Sequence, residues 1–427
     1  MLGLLLALAL GQYPQHRLFL QPNLQKSGNA RPAFYLDPGA LGPACACANI
    51  SDASGVAITW TRAGSAYCTD VGLSKTGISN TSMVSCSSNL PRVESDGTAL
   101  GVLSERAATN SCLQSEDFAT TWGKSADVTR TVNQATAPNN TVTADALVFN
   151  DAAVSESAVF QGITRTAGAW VDSVYVKGNG QSGTIDLVQF NSSVNLFSAA
   201  CAYNSTTWTR CSVGPNTLSA LSWFFIIGCE KQGMTSNCTS SPSVYLWGAQ
   251  AEAGDAQHTA YLSSYVPTTT AAASRVADTA RFDGSYLPGT SLSLTAYVTP
   301  AWVIGEQLSV TGVLEGQVGS ASGAGFFYVA SGQRLQTLNS GSANITTALA
   351  PAFARYVTHK VGATNIGGQS TNYEDGAVIG GPTATNTLAA PWSSTTGLGY
   401  APSTAGSSFD GIISRLCVDS STARCPQ

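Results

Sequence analysis

Short runs of apolar or alternating residues, each cut off by Gly, Asn, Ser or Pro, recur roughly every 10–20 residues along this chain, as strands do in an antiparallel sandwich. Val56-Ala-Ile-Thr-Trp-Thr-Arg62, Ser173-Val-Tyr-Val-Lys177, Trp223-Phe-Phe-Ile-Ile-Gly-Cys229, Leu292-Ser-Leu-Thr-Ala-Tyr-Val298 and Gly325-Phe-Phe-Tyr-Val329 read as strands. Little of the chain carries a helical period, so we expect an all-β fold of antiparallel β-sandwiches. The 427 residues suffice for two or three domains, each large enough to bury a core. Charged residues make up 11%, under half the usual ~25%, and Ser, Thr, Ala, Gly and Asn take their place. That profile suits an extracellular or virion-type β protein better than a cytosolic helical enzyme.

The net charge of −5 comes with no basic block interleaved with aromatics, so no nucleic-acid footprint is visible. Eleven cysteines are present, without CxxC pairs or neighbouring histidines, which argues for disulfides and an oxidising compartment over metal sites. Cys201 and Cys211 are equidistant from a turn at Asn204-Ser-Thr206, and Cys229 and Cys238 flank Gln232-Gly-Met-Thr235. Both pairs should face each other across hairpins, within reach of a bridge. Cys68–Cys86 and Cys417–Cys425 are further candidate pairs, and the odd count leaves at least one thiol free or intermolecular. Reduced, buried cysteines are the competing reading. The apolar residues 1–11 suit a signal-peptide core with a cleavage site at Ala9-Leu10-Gly11, although a positively charged leader segment is missing. No run is long enough to be a transmembrane helix.

Thr59-Trp-Thr-Arg62, Asn89-Leu-Pro-Arg92 and Gly101-Val-Leu-Ser-Glu105-Arg106-Ala-Ala-Thr-Asn110 follow one another in the order of a segment that precedes jelly rolls in phage tail proteins. Glu116-Asp-Phe-Ala-Thr-Thr-Trp122, Thr141-Val-Thr-Ala-Asp-Ala-Leu147, Thr207-Trp-Thr-Arg-Cys-Ser212 and Tyr245-Leu-Trp-Gly-Ala-Gln-Ala-Glu-Ala-Gly254 resemble the strands of the jelly roll itself. Ser263-Ser-Tyr-Val-Pro-Thr268 and Ser274-Arg-Val-Ala-Asp278 resemble its exit. The chain thus resembles phage tail and spike-type proteins and bacterial secreted proteins with a carbohydrate-binding-module-like jelly roll. Arg281-Phe-Asp-Gly284 and Phe409-Asp-Gly-Ile-Ile-Ser-Arg-Leu-Cys-Val418 resemble the first and last strands of a laminin-G-like, concanavalin A-like sandwich, which lie side by side in that fold. Arg355 to Val361 and Thr371 to Val378 resemble its paired strands. The expected organisation is a signal peptide over 1–11, an arm and small β region with irregular structure over 12–111, a jelly roll over 112–267, a linker over 268–278 and a laminin-G-like sandwich over 279–427.

Glycoside hydrolysis requires two carboxylates flanking the scissile bond. The nearest pairs, Glu252 with Asp255 and Glu374 with Asp375, fall in turns and read as solvated, and neither a serine nucleophile elbow nor a phosphate-binding loop is present. The resemblance therefore implies a secreted or cell-surface, non-catalytic recognition protein for glycans or cell-surface polysaccharide. The alternatives are a structural virion component contacting other virion or surface proteins, and a glycoside hydrolase with an unrecognised site. Homo-oligomers would add avidity. Trp122, Tyr373, Trp392 and Tyr400 are the loop aromatics on which a sugar ring could stack, the competing reading for each being a rim or core aromatic. No organic cofactor is expected. Sandwiches of this class often carry a structural calcium, for which Asp255, Asp283 and Asp410 are available.

Overall fold

The computed structural model describes residues 34–36, 46–47, 57–69, 79–80, 82–95, 100–152, 156–191, 196–230, 234–255, 260–285, 287, 291–303, 306, 311–315, 325–329, 334–338, 345–348, 354–384, 396–399 and 408–420. Among these residues the chain is all-β, every paired strand is antiparallel, and there is no helix.

Two five-stranded sheets form the jelly roll. One runs Thr129–Ala135, Ala144–Val148, Ser243–Ala253, Gly168–Gly178 and Thr209–Leu218; the other runs Leu196–Tyr203, Gly183–Phe190, Ser222–Cys229, Ser157–Thr164 and Gly123–Lys124. Their inner faces meet in a core that includes Phe118, Leu147, Val174, Ile185, Leu187, Phe225, Ile227 and Leu246. The central strands Gly168–Gly178 and Ser243–Ala253 are buried on both faces, and for that reason they do not alternate in polarity. Their outer face is covered by Tyr265 of the exit segment and by Met83, which pack with Tyr175, Trp208 and Trp247.

The second sandwich is assembled from both ends of the chain. Its larger sheet runs Ala46–Cys47, Arg92–Ser95, Leu100–Ser104, Gly411–Asp419, Leu292–Pro300, His359–Ile366, Gln369–Glu374 and Ala377–Ala384, with Phe34–Leu36 also paired to Gly411–Asp419. The facing sheet places Thr59–Thr61 beside Thr279–Phe282. Trp60, Val93, Val102 and Leu103 accordingly share one core with Leu294, Ala296, Trp302, Ile412 and Leu416. The last strand, Gly411–Asp419, lies beside Leu292–Pro300 and Leu100–Ser104, whereas Thr279–Phe282 sits in the other sheet. This corrects the expectation that the first and last strands of the domain are neighbours: Leu100–Ser104 takes that place. The strand expected from Arg355 begins at His359, after a turn over residues 355–356.

Cys201–Cys211 and Cys229–Cys238 are bridged, with Cα–Cα distances of 5.6 and 5.5 Å. The hairpin rationale for them does not hold. Cys201 and Cys211 lie on consecutive strands in opposite sheets, so their bridge ties the two layers of the jelly roll together. Cys229 ends a strand, while Cys238 lies in irregular chain ahead of Ser243–Ala253. Cys68–Cys86 is also corrected. The register of Ala66–Thr69 against Met83–Cys86 sets Cys86 opposite Ala66, and Cys86 bonds Cys47. Cys68 and Cys417 are disulfide-bonded to partners outside the described residues, where Cys425 lies. Cys112 is the free thiol among the described residues, sealed in the jelly-roll core, and burial pushes its pKa well up.

Two outcomes follow from this architecture. Replacing Cys201 and Cys211 together by Ser should cost about 3 kcal/mol, from the entropy of the ~10-residue loop the bridge closes, read as a lower urea midpoint. Residues 279–427 expressed alone lack Trp60, Val93, Val102 and Leu103 and should give a collapsed NMR spectrum, whereas residues 100–278 should give a dispersed one.

Candidate functional site

The motif residues converge on one buried cluster. Arg62 Nη1 donates to Asp278 Oδ1 at 2.9 Å, and Arg92 Nη2 donates to the other oxygen of the same carboxylate. Arg92 Nη1 reaches Glu105 Oε2 at 2.6 Å and Ser264 Oγ at 2.7 Å, and Arg275 approaches Glu105 at 3.4 Å. Burial alone would lower the Arg92 pKa, but Asp278, Glu105 and Glu94 together raise it above its ordinary value. Burial wins at Arg62, whose pKa falls despite Asp278. Nearby, Asp410 accepts hydrogen bonds from the Arg106 backbone N–H, the Tyr261 hydroxyl and Ser408 Oγ. Asn110 uses all four of its hydrogen-bonding positions: Nδ2 donates to the Ala249 and Val266 carbonyls, and Oδ1 accepts from the Cys112 and Ala251 N–H groups. These bonds fix the exit segment between the two sandwiches.

A cleft of about 190 Å3 opens at that junction. It is lined by Val171, Arg210, Ser212, Gly214 and Pro215 of the jelly roll, Tyr261 and Leu262 of the exit segment, and Arg355 and Tyr356 of the second sandwich. The register of Gly168–Gly178 against Thr209–Leu218 shifts between Trp170 and Asp172, and Gly214-Pro215 bulges at the rim. Gly214 has φ +104°, and a Cβ there would lie 2.5 Å from the Trp170 carbonyl oxygen, so only glycine fits. Tyr356 has φ 63°, a conformation bulky residues avoid; its N–H is held by the Pro300 carbonyl at 2.8 Å. Strain of this kind persists where the surroundings impose it and clusters at ligand sites. Sequence reasoning missed the cleft, because its residues come from four separate stretches of the chain.

The sequence-derived residues are scattered. Trp122 is buried against Phe118 and Phe225 with its indole N–H on the Leu113 carbonyl, so its ring is closed to a ligand and the stacking assignment is corrected to core. Tyr373 is half-buried on Gln369–Glu374, while Trp392 and Tyr400 lie outside the described residues. The three calcium candidates do not form a shared donor set among the described residues. Asp283 is exposed and held by Ser285, Asp255 sits 3.9 Å from Arg106, and both oxygens of Asp410 are taken. Glu252 and Glu374 are buried rather than solvated. Glu252 accepts from Ser263, and Glu374 faces His359.

His359, Glu374 and Asp375 are a more compact donor set, within 4.8 Å of one another. His359 Nδ1 lies 3.1 Å from Asp375 Oδ2 and 3.5 Å from Glu374 Oε1, and the Ala354 N–H donates to Nε2 at 3.4 Å. An accepting Nε2 places the proton of a neutral ring on Nδ1, so the nitrogen facing the carboxylates has no lone pair to give a metal. With the Asp375 N–H on the Lys360 carbonyl at 2.7 Å, the group locks the turn at Asp375-Gly376. Cys47, Cys68 and Cys86 also cluster, but as disulfides they do not bind metal.

No family model matches the sequence, and no curated protein matches it. Among solved structures, domains LG4-5 of the mouse laminin alpha1 chain match at 12% identity and a TM-score of 0.26, covering 69% of this chain and 89% of that one. The CBM22-1-CBM22-2 tandem of Paenibacillus barcinonensis Xyn10C matches at 11% and 0.27, covering 74% and 99%. Trypanosoma rangeli sialidase matches at 10% and 0.27, covering 65% of this chain and 49% of its own length. With TM-scores this low, the fold and the cleft stand on the chain's own residues.

Replacing Asp278 by Ala leaves Arg62 and Arg92 buried without their shared partner and should cost about 3–5 kcal/mol in urea unfolding, while Asp283→Ala, at an exposed site, should change nothing measurable.

Proposed function

We propose that this is a non-catalytic recognition protein that binds a saccharide in the cleft between its two sandwiches, outside the cell. The carrying observation is the make-up of that cleft. Val171, Pro215 and Leu262 supply apolar surface, half-buried Tyr356 supplies a ring, and Arg210, Arg355 and Ser212 supply donors. Sugars ask for this combination, an apolar face for ring C–H groups and fixed donors for the oxygens. The volume is below the roughly 300–1,000 Å3 of pockets for drug-sized ligands, which suits one sugar ring. None of the described lining residues is a carboxylate, the group that glycoside hydrolysis uses as acid and base. The disulfides support an oxidising, extracellular setting, and no helix among the described residues is long and apolar enough to cross a membrane.

A single shallow site binds weakly, so a glycan array probed with an artificially tetramerised protein is the appropriate test. Selective binding to a saccharide, lost in Tyr356→Ala at unchanged thermal stability, is the expected result. No binding to any saccharide would overturn the proposal. Binding lost in Tyr373→Ala or Trp392→Ala, and retained in Tyr356→Ala, would move the site to the aromatics picked out by sequence.

A further inference from the structure

We infer that the cleft selects a sugar bearing an anionic group, a carboxylate or a sulfate ester; the inference rests on the saccharide reading above. Two of the nine described lining residues are arginines, and none of the nine is acidic. Arg210 is 4% exposed. Its Nε and Nη2 donate to Ser173 Oγ at 3.2 and 3.0 Å, its Nη1 donates to the Ser263 carbonyl, and its guanidinium lies 5.3 Å from the Tyr175 ring centre. All of these partners are neutral, and among the described residues no carboxylate lies within ion-pair distance of it. A guanidinium taken out of water and hydrogen-bonded only to neutral acceptors still lacks a direct anionic partner.

Arg355 stands on the opposite wall. One of its terminal nitrogens pairs with Glu306, its Nε is buried without a hydrogen-bond partner among the described residues, and its side chain remains 26% exposed. Of the two lining arginines, only Arg355 is ion-paired among the described residues. A guanidinium is a rigid fork of N–H donors matched to the paired oxygens of a carboxylate or sulfate, and an anion bridging the two walls would use the donors left over. A neutral sugar could occupy the same apolar surface but would offer these guanidinium donors no charged acceptor.

The experiment compares neutral oligosaccharides with their uronate-containing, sialylated and sulfated counterparts by calorimetry on the full chain. Acidic sugars should bind at least tenfold tighter than their neutral counterparts. Arg355→Gln should weaken acidic-sugar binding about tenfold, the cost of a hydrogen bond to a charged group. Glu306→Gln should strengthen it by freeing Arg355, and should leave neutral sugars unaffected. These two variants carry the test if Arg210→Gln fails to fold. Preference for carboxylated or for sulfated sugars identifies the anion, and either supports the inference. Equal binding of neutral and acidic sugars would overturn the inference and leave the saccharide reading standing. Acidic-sugar binding indifferent to both Arg355→Gln and Glu306→Gln would also overturn it. No binding to any sugar overturns both.

Discussion

Charges withdrawn from water must find partners inside a protein, and removing one partner strands the other at a cost of several kcal/mol. Here Arg62, Arg92 and Arg275 are set against Glu94, Glu105 and Asp278, all buried, three of each sign. Arg62, Arg92 and Glu105 precede the jelly roll in sequence, while Arg275 and Asp278 follow it. The cluster can be satisfied only when the chain entering the jelly roll and the chain leaving it are side by side. Ala108–Asn110 pairs with Ala273–Arg275 at the same place, so backbone hydrogen bonds and buried charge impose one geometry. Such a network contributes little net stability against a well-packed apolar alternative; what it supplies is a single relative placement of the two sandwiches.

That placement creates the cleft. No one segment holds it: Arg210 comes from a jelly-roll strand, Tyr261 from the exit segment, and Arg355 and Tyr356 from a turn in the second sandwich. Tyr261 links the systems directly, since its ring lines the cleft, its hydroxyl bonds Asp410, and the Arg106 guanidinium lies 5.0 Å from its ring centre. Burial, with the Asp410 carboxylate reinforcing it, pushes the Tyr261 hydroxyl well above its ordinary pKa and keeps it a donor. The site is thus built on rigid supports, although its rim at Gly214 and Pro215 is exposed.

Strand content was legible because turn residues punctuate apolar runs, a signal that is local. Ser222–Cys229 and Gly325–Val329 lie where the sequence places them. The cysteine pairs of the jelly roll were legible from spacing, yet their cause was not, because consecutive strands in this fold cross between layers instead of forming hairpins. Trp122 reads as a loop aromatic since it sits outside long strands, but the loop folds inward and puts it on Phe118. Glu252 and Glu374 read as solvated because turn positions usually are; each instead meets a buried partner from elsewhere in the chain. The motif residues Arg62, Arg92, Glu105, Arg275 and Asp278 stood out individually, while their convergence depends on pairings across more than 150 residues, which no local pattern encodes.

The pairing of Leu100–Ser104 with Gly411–Asp419 sets Leu103 opposite Ile412. A ribosome adds about 5–20 residues per second, so the early strand waits on the order of 15–60 s for its neighbour to emerge. The jelly roll, whose strands all lie between the two, is complete well before then. Until then Leu100–Ser104 has only Arg92–Ser95 beside it, so the edge that Gly411–Asp419 will cover stays open for most of the time the chain is being made.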